Sequence, residues 1–187
     1  RLWIVDPLDG TKEFVKRNGE FTVNIALVEA GKPVLGVIYI PVEGVVYFGS
    51  EETGSRKVEG VGGWKDGMLD YWMGKSQRLP VDSGRSVYTI VGSKSHMTAE
   101  TAEYMEKLKA EHGEVEILSR GSSLKITMVA EGAADIYPRF APTMEWDVAA
   151  GHAIVRYSGA EMVRAEDGDE LVYNKEDLLN PWFIVRR

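Results

Sequence analysis

Near its start the chain runs Trp3-Ile4-Val5-Asp6-Pro7-Leu8-Asp9-Gly10-Thr11. An apolar run, which reads as a short buried strand, ends in two carboxylates three positions apart with a proline between them. Pro7 fixes its own φ and donates no N–H. It also biases Asp6 toward an extended backbone. Such a turn cannot simply continue a strand, so this stretch constrains whatever is built around it.

The same turn concentrates oxygen ligands. Asp6 and Asp9 bring two hard anionic groups together, and the turn can aim the Leu8 carbonyl at the same point. Three convergent oxygens with room for water suit Mg²⁺, which prefers octahedral oxygen coordination. Gly10-Thr11-Lys12 reads as the first turn of a helix, where free N–H groups can hold phosphate. The Thr11 hydroxyl could orient a water. The competing reading is a capped turn, since Asp and Pro commonly make turns and Asp9 could cap the helix.

Further along, Phe14 to Asn18 reads as one or two turns of helix. Phe21 to Glu29 alternates as a strand, with Val23, Ile25 and Leu27 set against Thr22, Asn24 and Ala26. Val34 to Ile40, Val45 to Gly49 and Gly54 to Glu59 follow as strands joined by short turns, which predicts an antiparallel meander. Positions 60–84, rich in Gly and charge, read as a surface loop or small hairpin, with Leu79 to Gly84 the candidate hinge. The pattern then changes. Strands at Val87 to Gly92, Val115 to Leu118 and Ala134 to Tyr137 alternate with helices at Thr98 to His112, Ser122 to Glu131 and Asp147 to Tyr157. Late strands at Glu161 to Arg164 and Trp182 to Val185 follow, so this half predicts an α/β layer. The expected division is 1–84 for an α+β unit and 85–187 for an α/β unit.

Composition narrows the chemistry. The chain of 187 residues holds no cysteine, which excludes disulfides, thiol catalysis and thiolate metal sites. A formal net charge of −7 argues against general nucleic-acid binding. A small phosphorylated substrate remains open, because bound cations invert the local potential. No apolar run approaches the ~18 residues needed to span a bilayer.

Three other stretches carry candidate chemistry. Trp146-Asp147-Val148-Ala149-Ala150-Gly151 opens the Ala-rich helix, and read alone Asp147 is more simply a helix cap than a metal carboxylate. Gly121-Ser122-Ser123-Leu124-Lys125 starts another helix: Ser122 caps, and Lys125 is either solvated or part of an anion site. Gly92-Ser93-Lys94-Ser95-His96 ends a strand, where ligand sites of α/β sheets sit.

Together these stretches resemble one family. Trp-x-Val-Asp-Pro-x-Asp-Gly-Thr and Trp-Asp-x-Ala-Ala-Gly are similar to the two signatures of the lithium-sensitive, Mg²⁺-dependent phosphatases related to inositol monophosphatase. The continuation Lys12 to Ile25, the Gly-Ser-Ser-Leu-Lys segment and Tyr137-Pro138-Arg139-Phe140 resemble the 3'(2'),5'-bisphosphate nucleotidase branch. Lys94 stands where arginine is usual. The resemblance implies a layered α-β-α-β-α sugar-phosphatase fold, here lacking its N-terminal helices. It implies two or three Mg²⁺ ions held by Asp6, the Leu8 carbonyl, Asp9 and Asp147, with Thr11 orienting the water. Gly10, Thr11, Ser93, His96, Gly121, Lys125 and Arg139 become substrate contacts.

The implied activity is removal of the 3'-phosphate from 3'-phosphoadenosine 5'-phosphate. The partner is then a small phosphorylated nucleotide, with no nucleic acid, in the cytoplasm or peripheral to the inner membrane. Two other readings stay open: a phosphatase for inositol or sugar phosphates, in which Glu145 reads hydroxyls, and a binding remnant without turnover. The family pattern also places a metal glutamate and a second acid, partner to the threonine, before the signature. The expectation is therefore that Arg1 continues a longer protein, that the chain alone turns over poorly, and that apolar sheet surface is exposed.

Overall fold

The computed structural model describes residues 1–62, 68–92 and 97–187, with the side chain of residue 68 left aside. Two sheets carry the fold. The first is an antiparallel meander in chain order: β1 (Leu2–Asp9), β2 (Thr22–Glu29), β3 (Lys32–Ile40), β4 (Val45–Ser50), β5 (Gly54–Val58) and β6 (Gln77–Arg78). The short α1 (Thr11–Lys16) follows β1, and α2 (Met68–Lys75) precedes β6. The second sheet is mixed. It comprises β7 (Tyr88–Gly92), β8 (Val115–Ser119), β9 (Ile136–Arg139), β10 (Glu161–Arg164) and β11 (Phe183–Arg186), in the order β10-β11-β9-β7-β8. Strand β7 pairs parallel with β8 and β9, and β11 pairs antiparallel with β9 and β10.

Helices α4 (Leu124–Glu131) and α5 (Glu145–Tyr157) fill the space between the sheets, and α3 (Ala99–His112) covers the far face of the second. Side-chain alternation along the strands explains the layering. Val91, Tyr137 and Val185 join the central core with Leu124, Ile126 and Val129 of α4. Their neighbours Ile90, Ile136 and Ile184 pack with Met105 and Leu108 of α3. The layered reading thus holds.

Helix α5 sits unusually close to the first sheet. Its route crosses Gly36 and Gly49, a directly opposed pair on β3 and β4. A Cβ at Gly36 would lie 2.1 Å from the Ala150 carbonyl oxygen, and one at Gly49 would lie 3.1 Å from the Ile154 Cα. On the other side Gly151 faces Ile126 of α4, where a Cβ would come within 2.7 Å. The Ala-Ala-Gly run is small because backbone meets backbone here. Close packing of this kind fixes the helix, and with it Asp147, against the sheet.

Several expectations change. The 60–84 region is not merely loop, since α2 and β6 lie within it. Strand β1 continues through Pro7 to Asp9, with its pairing to β2 shifted between Asp6 and Asp9. It is half-buried on one side, where Leu2 and Ile4 pack against the core, and open on the other: Trp3 and Val5 are 60% and 50% exposed. In β2 the Thr22, Asn24, Ala26 and Val28 side is the fully buried one. Its apolar Val23, Ile25 and Leu27 lie on the half-open face with Trp3 and Val5. Thr98 caps α3 as expected, accepting from the Thr101 N–H. Among the described residues no helix is long and apolar enough to cross a membrane.

Candidate active site

Asp6 and Asp9 flank the register shift at the end of β1. The Leu8 N–H donates to Asp6 Oδ1 at 3.0 Å, closing a tight turn that brings the two carboxylates to one side. Asp147 comes from the opposite direction, in the first turn of α5. It is not the cap of that helix. Met144 holds that position, and Asp147 Oδ2 reaches back to accept its N–H at 2.8 Å. One oxygen from each of Asp6, Asp9 and Asp147 can be chosen so that all three lie within 4.8 Å of one another.

Such a cluster is costly without a cation. Burial, followed by the charges of Asp9 and Asp6, pushes the Asp147 carboxyl up to about 6. Burial and then Asp9 also raise Asp6. Both shifts mean that the ionised forms need compensation. The donor set is three carboxylates from rigid elements, with no nitrogen or sulfur. It fits a hard, oxygen-preferring divalent ion such as Mg²⁺.

The cluster borders a solvent-open cavity of about 320 Å³. Asp9, Gly10, Thr11, Gly121, Lys125, Arg139 and Asp147 all line it, so the structure gathers these expected site residues into one place. Asp6 reaches the carboxylate cluster without lining the cavity, and Leu8, also outside the lining, braces Asp6 through its N–H. Ser93 and His96 lie outside the described residues. Thr11 heads α1 directly after Gly10, whose φ of 86° is the left-handed conformation that glycine adopts without strain.

The two cationic walls differ. Lys125 is buried; its Nζ donates to the Ser122 carbonyl at 2.8 Å and the Arg120 carbonyl at 3.1 Å, and sits 5.7 Å from the centre of the Tyr137 ring. Burial, then the Arg139 charge, brings this ammonium down to about 8. Arg139 donates through Nη2 to the Pro142 carbonyl, while its buried Nε has no hydrogen-bond partner. The Gly121 N–H is donated to Glu20 Oε2 at 2.8 Å, so this glycine meets the cavity with other atoms. A Cβ there would lie 2.7 Å from Glu13 Cγ, which explains the glycine.

Glu145 is fully buried and turned away. Its carboxylate accepts the N–H groups of Asn174 and Lys175 and pairs with Lys175 Nζ. It does not line the cavity. Sequence reading also passed over the groups around Asp9. Ser122, expected to cap α4, does not; Ser123 holds that position without a capping side-chain bond. Both hydroxyls turn instead to Asp9 Oδ2. Thr22 and Asn24 are buried beside them. The available signal was two polar residues on one side of a strand whose later positions on that side are Ala26 and Val28.

Two sheets with helices between them, and a carboxylate cluster bordering a cavity lined by both basic and acidic groups, fit a metal-dependent hydrolase of phosphate esters. A model of the inositol monophosphatase family matches residues 1–182, and the chain belongs to that family. Among its relatives, the 3'(2'),5'-bisphosphate nucleotidase CysQ of Salmonella typhimurium is 48% identical over 186 residues, 99% of this chain and 68% of that protein. The Escherichia coli K12 protein of the same description is 47% identical over the same shares. The crystal structure of CysQ from Bacteroides thetaiotaomicron superposes with a TM-score of 0.95 at 59% identity, covering 99% of this chain and 69% of that one. Staphylococcal IMPase-II shares the fold at a TM-score of 0.72 and 22% identity, over 99% of this chain and 66% of that one.

Proposed function

We propose that the protein is a Mg²⁺-dependent phosphomonoesterase that removes the 3'-phosphate of 3'-phosphoadenosine 5'-phosphate, giving AMP and phosphate. The observation that carries the reading is the convergence of Asp6, Asp9 and Asp147 beside a cavity lined by Thr11, Lys125 and Arg139. The substrate follows from the nearly half-identical nucleotidases. Glu145, the acid that would read inositol hydroxyls, is occupied by Lys175, which supports the nucleotide over a polyol. The cytoplasm is the proposed location.

In this reading Asp6, Asp9, Asp147 and the Leu8 carbonyl hold two or three Mg²⁺ ions. Bound there, Mg²⁺ supplies charge neutralisation at the phosphate and a lowered pKa for water. Backbone N–H groups of Gly10 and Thr11 orient the phosphate. The Thr11 hydroxyl positions the water whose oxygen forms the new bond to phosphorus. The bond from phosphorus to the 3'-oxygen breaks, and that oxygen leaves with a proton. Lys125 and Arg139 place positive charge on the far side of the cavity, where a second phosphate of the nucleotide can sit.

The test compares phosphate release from 3'-phosphoadenosine 5'-phosphate and from inositol 1-phosphate, with Mg²⁺ and with excess chelator. The expected result is turnover of the nucleotide at a kcat/KM at least about tenfold higher, abolished by the chelator. Preference for the inositol ester, or release that survives chelation, overturns the reading.

A further inference from the structure

Asp9 is held far more tightly than its two companions. Its Oδ2 accepts the Ser123 N–H at 2.9 Å and the Ser123 hydroxyl at 2.7 Å, and also the Ser122 hydroxyl. Thr22 Oγ1 and Asn24 Nδ2 stand 3.4 Å from the same oxygen. Asn24 Nδ2 donates to Ser123 Oγ at 2.9 Å, and Thr22 Oγ1 lies 2.8 Å from Ser122 Oγ. Among the described residues no hydrogen bond falls on Asp9 Oδ1. One carboxylate oxygen is saturated and the other is left with its lone pairs free.

The donors come from two distant parts of the chain. Thr22 and Asn24 are on β2, and Asn24 pairs in register with Asp6. Ser122 and Ser123 lead into α4, and Ser123 Oγ also lies 3.1 Å from the Asp147 carbonyl oxygen. The backbone at Ser122 has a φ of 47°, the left-handed region that a serine adopts only at some cost. That conformation turns the Ser122 hydroxyl toward Asp9 instead of toward the helix it precedes.

We propose that Ser122, Ser123, Thr22 and Asn24 are positioning residues that hold Asp9 as a single-oxygen metal ligand through Oδ1. The proposal rests on the metal-centre reading of Asp6, Asp9 and Asp147. Groups that hydrogen-bond a ligating carboxylate fix its orientation, and their loss typically costs ten- to a hundredfold in metal affinity. A carboxylate released from the cage is free to rotate and to offer both oxygens. The cage therefore prepares the site before any ion arrives, and it makes metal binding depend on how the Ser122–Ser123 segment leading into α4 meets β1 and β2.

Ser122→Gly is the informative variant, because glycine tolerates the left-handed backbone while the hydroxyl is lost. Ser123→Ala removes the second hydroxyl. The probe is Mn²⁺, an octahedral oxygen-binding ion, titrated into the protein without substrate while paramagnetic resonance counts the free ion. The melting midpoint of the metal-free protein is measured alongside. The expected result is about tenfold weaker Mn²⁺ binding in each variant, with the metal-free midpoint of Ser122→Gly unchanged or raised. Mn²⁺ affinities within twofold of the parent overturn the proposal, whatever happens to the midpoint. A parent protein that binds no Mn²⁺ at millimolar concentration overturns both the proposal and the metal-centre reading beneath it.

Discussion

Gly36 of β3 lies directly against the Ala150 carbonyl of α5, with no room for a side chain: a Cβ there would be 2.1 Å from the oxygen. The obstacle is backbone on a helix already pressed against two glycine-bearing strands, so it cannot swing aside. Gly36→Ala should destabilise the protein by about 3 kcal/mol, at the upper end of the overpacking range. It should also push α5, and with it Asp147, away from Asp6 and Asp9. Gly151→Ala meets the side chain of Ile126 instead of backbone; Ile126 is β-branched and stiff at χ1 in a helix, so α4 must give slightly, and the cost should be about 2 kcal/mol. Denaturant titration of both variants checks the ranking. Equal losses would mean that α5 is not locked to the sheet at Gly36.

Asp147→Asn separates stability from function. The three-carboxylate cluster carries like charges within 4.8 Å, and Asp147 is raised to about 6 by burial and those neighbours. An Asn Oδ1 can still accept the Met144 N–H that Asp147 now accepts. Removing one charge should therefore raise the melting midpoint in chelator at pH 8 by roughly 2–4 °C, the change that about 1 kcal/mol produces at this chain length. The extra midpoint gained on adding Mg²⁺ should disappear, and kcat should fall at least about a hundredfold, since a ligand matters no less than its supports. A variant that keeps its Mg²⁺ shift would remove Asp147 from the ligand set.

These residues also show what the sequence could and could not disclose. The Asp6 to Thr11 turn was readable because its chemistry is local: proline, glycine and two carboxylates act within a few positions. The strands of the meander were readable from alternation and short turns. Asp147 was readable only by resemblance, because its meeting with Asp9 depends on how α5 docks, and that depends on Gly36 and Gly49 far away in sequence. The cage around Asp9 is non-local in the same way, joining positions 22 and 24 to 122 and 123. The 60–84 stretch misled because α2 is short and rich in aromatic and charged residues, with no clear apolar stripe. Trp3 and Val5 misled because an apolar run reads as buried, whereas here one face of the strand stays half open.

Lys125 ties substrate affinity to pH. Burial and Arg139 lower its ammonium from 10.5 to about 8, while its Nζ lies against the Ser122 and Arg120 carbonyls at the cavity wall. The charged form is what attracts a phosphate, and it is lost as pH rises through about 8. If Lys125 contacts the nucleotide, kcat/KM should decline above that value with an apparent pKa near 8, chiefly through KM. Lys125→Met should raise KM about tenfold at pH 7, which corresponds to about 1.4 kcal/mol, and should lose this alkaline limb. A pH profile for Lys125→Met that keeps the limb would assign it to another group.

His152, which does not line the cavity, makes the fold acid-sensitive from the same helix that carries Asp147. It is buried on α5, between the Tyr173 hydroxyl at 2.9 Å from Nδ1 and Glu170 Oε1 at 3.3 Å from Nε2. Arg156, on the next turn of the helix, faces the same Glu170. The neutral ring with its proton on Nε2 satisfies both neighbours: Tyr173 donates to Nδ1, and Nε2 donates to Glu170. Burial is the largest cause of a lowered pKa for His152; Glu170 opposes it and Arg156 adds to it. A histidine depressed in the folded state resists a proton that the unfolded chain accepts from about 6.5 downward. Its stabilising effect is thus complete above 6.5 and declines as pH falls toward the folded value. Glu170 is also depressed, from 4.5, so its own loss comes later, below that pH. Asp147 and Asp6, raised in the folded state, act in the opposite direction over this range. The His152 contribution, read as the difference in urea titrations between the protein and His152→Gln, should fall between pH 7 and pH 5, by about 1.4 kcal/mol for each unit of depression. In His152→Gln that fall should be absent, while the decline below 4.5 remains. An unchanged slope in the variant would place the acid sensitivity elsewhere.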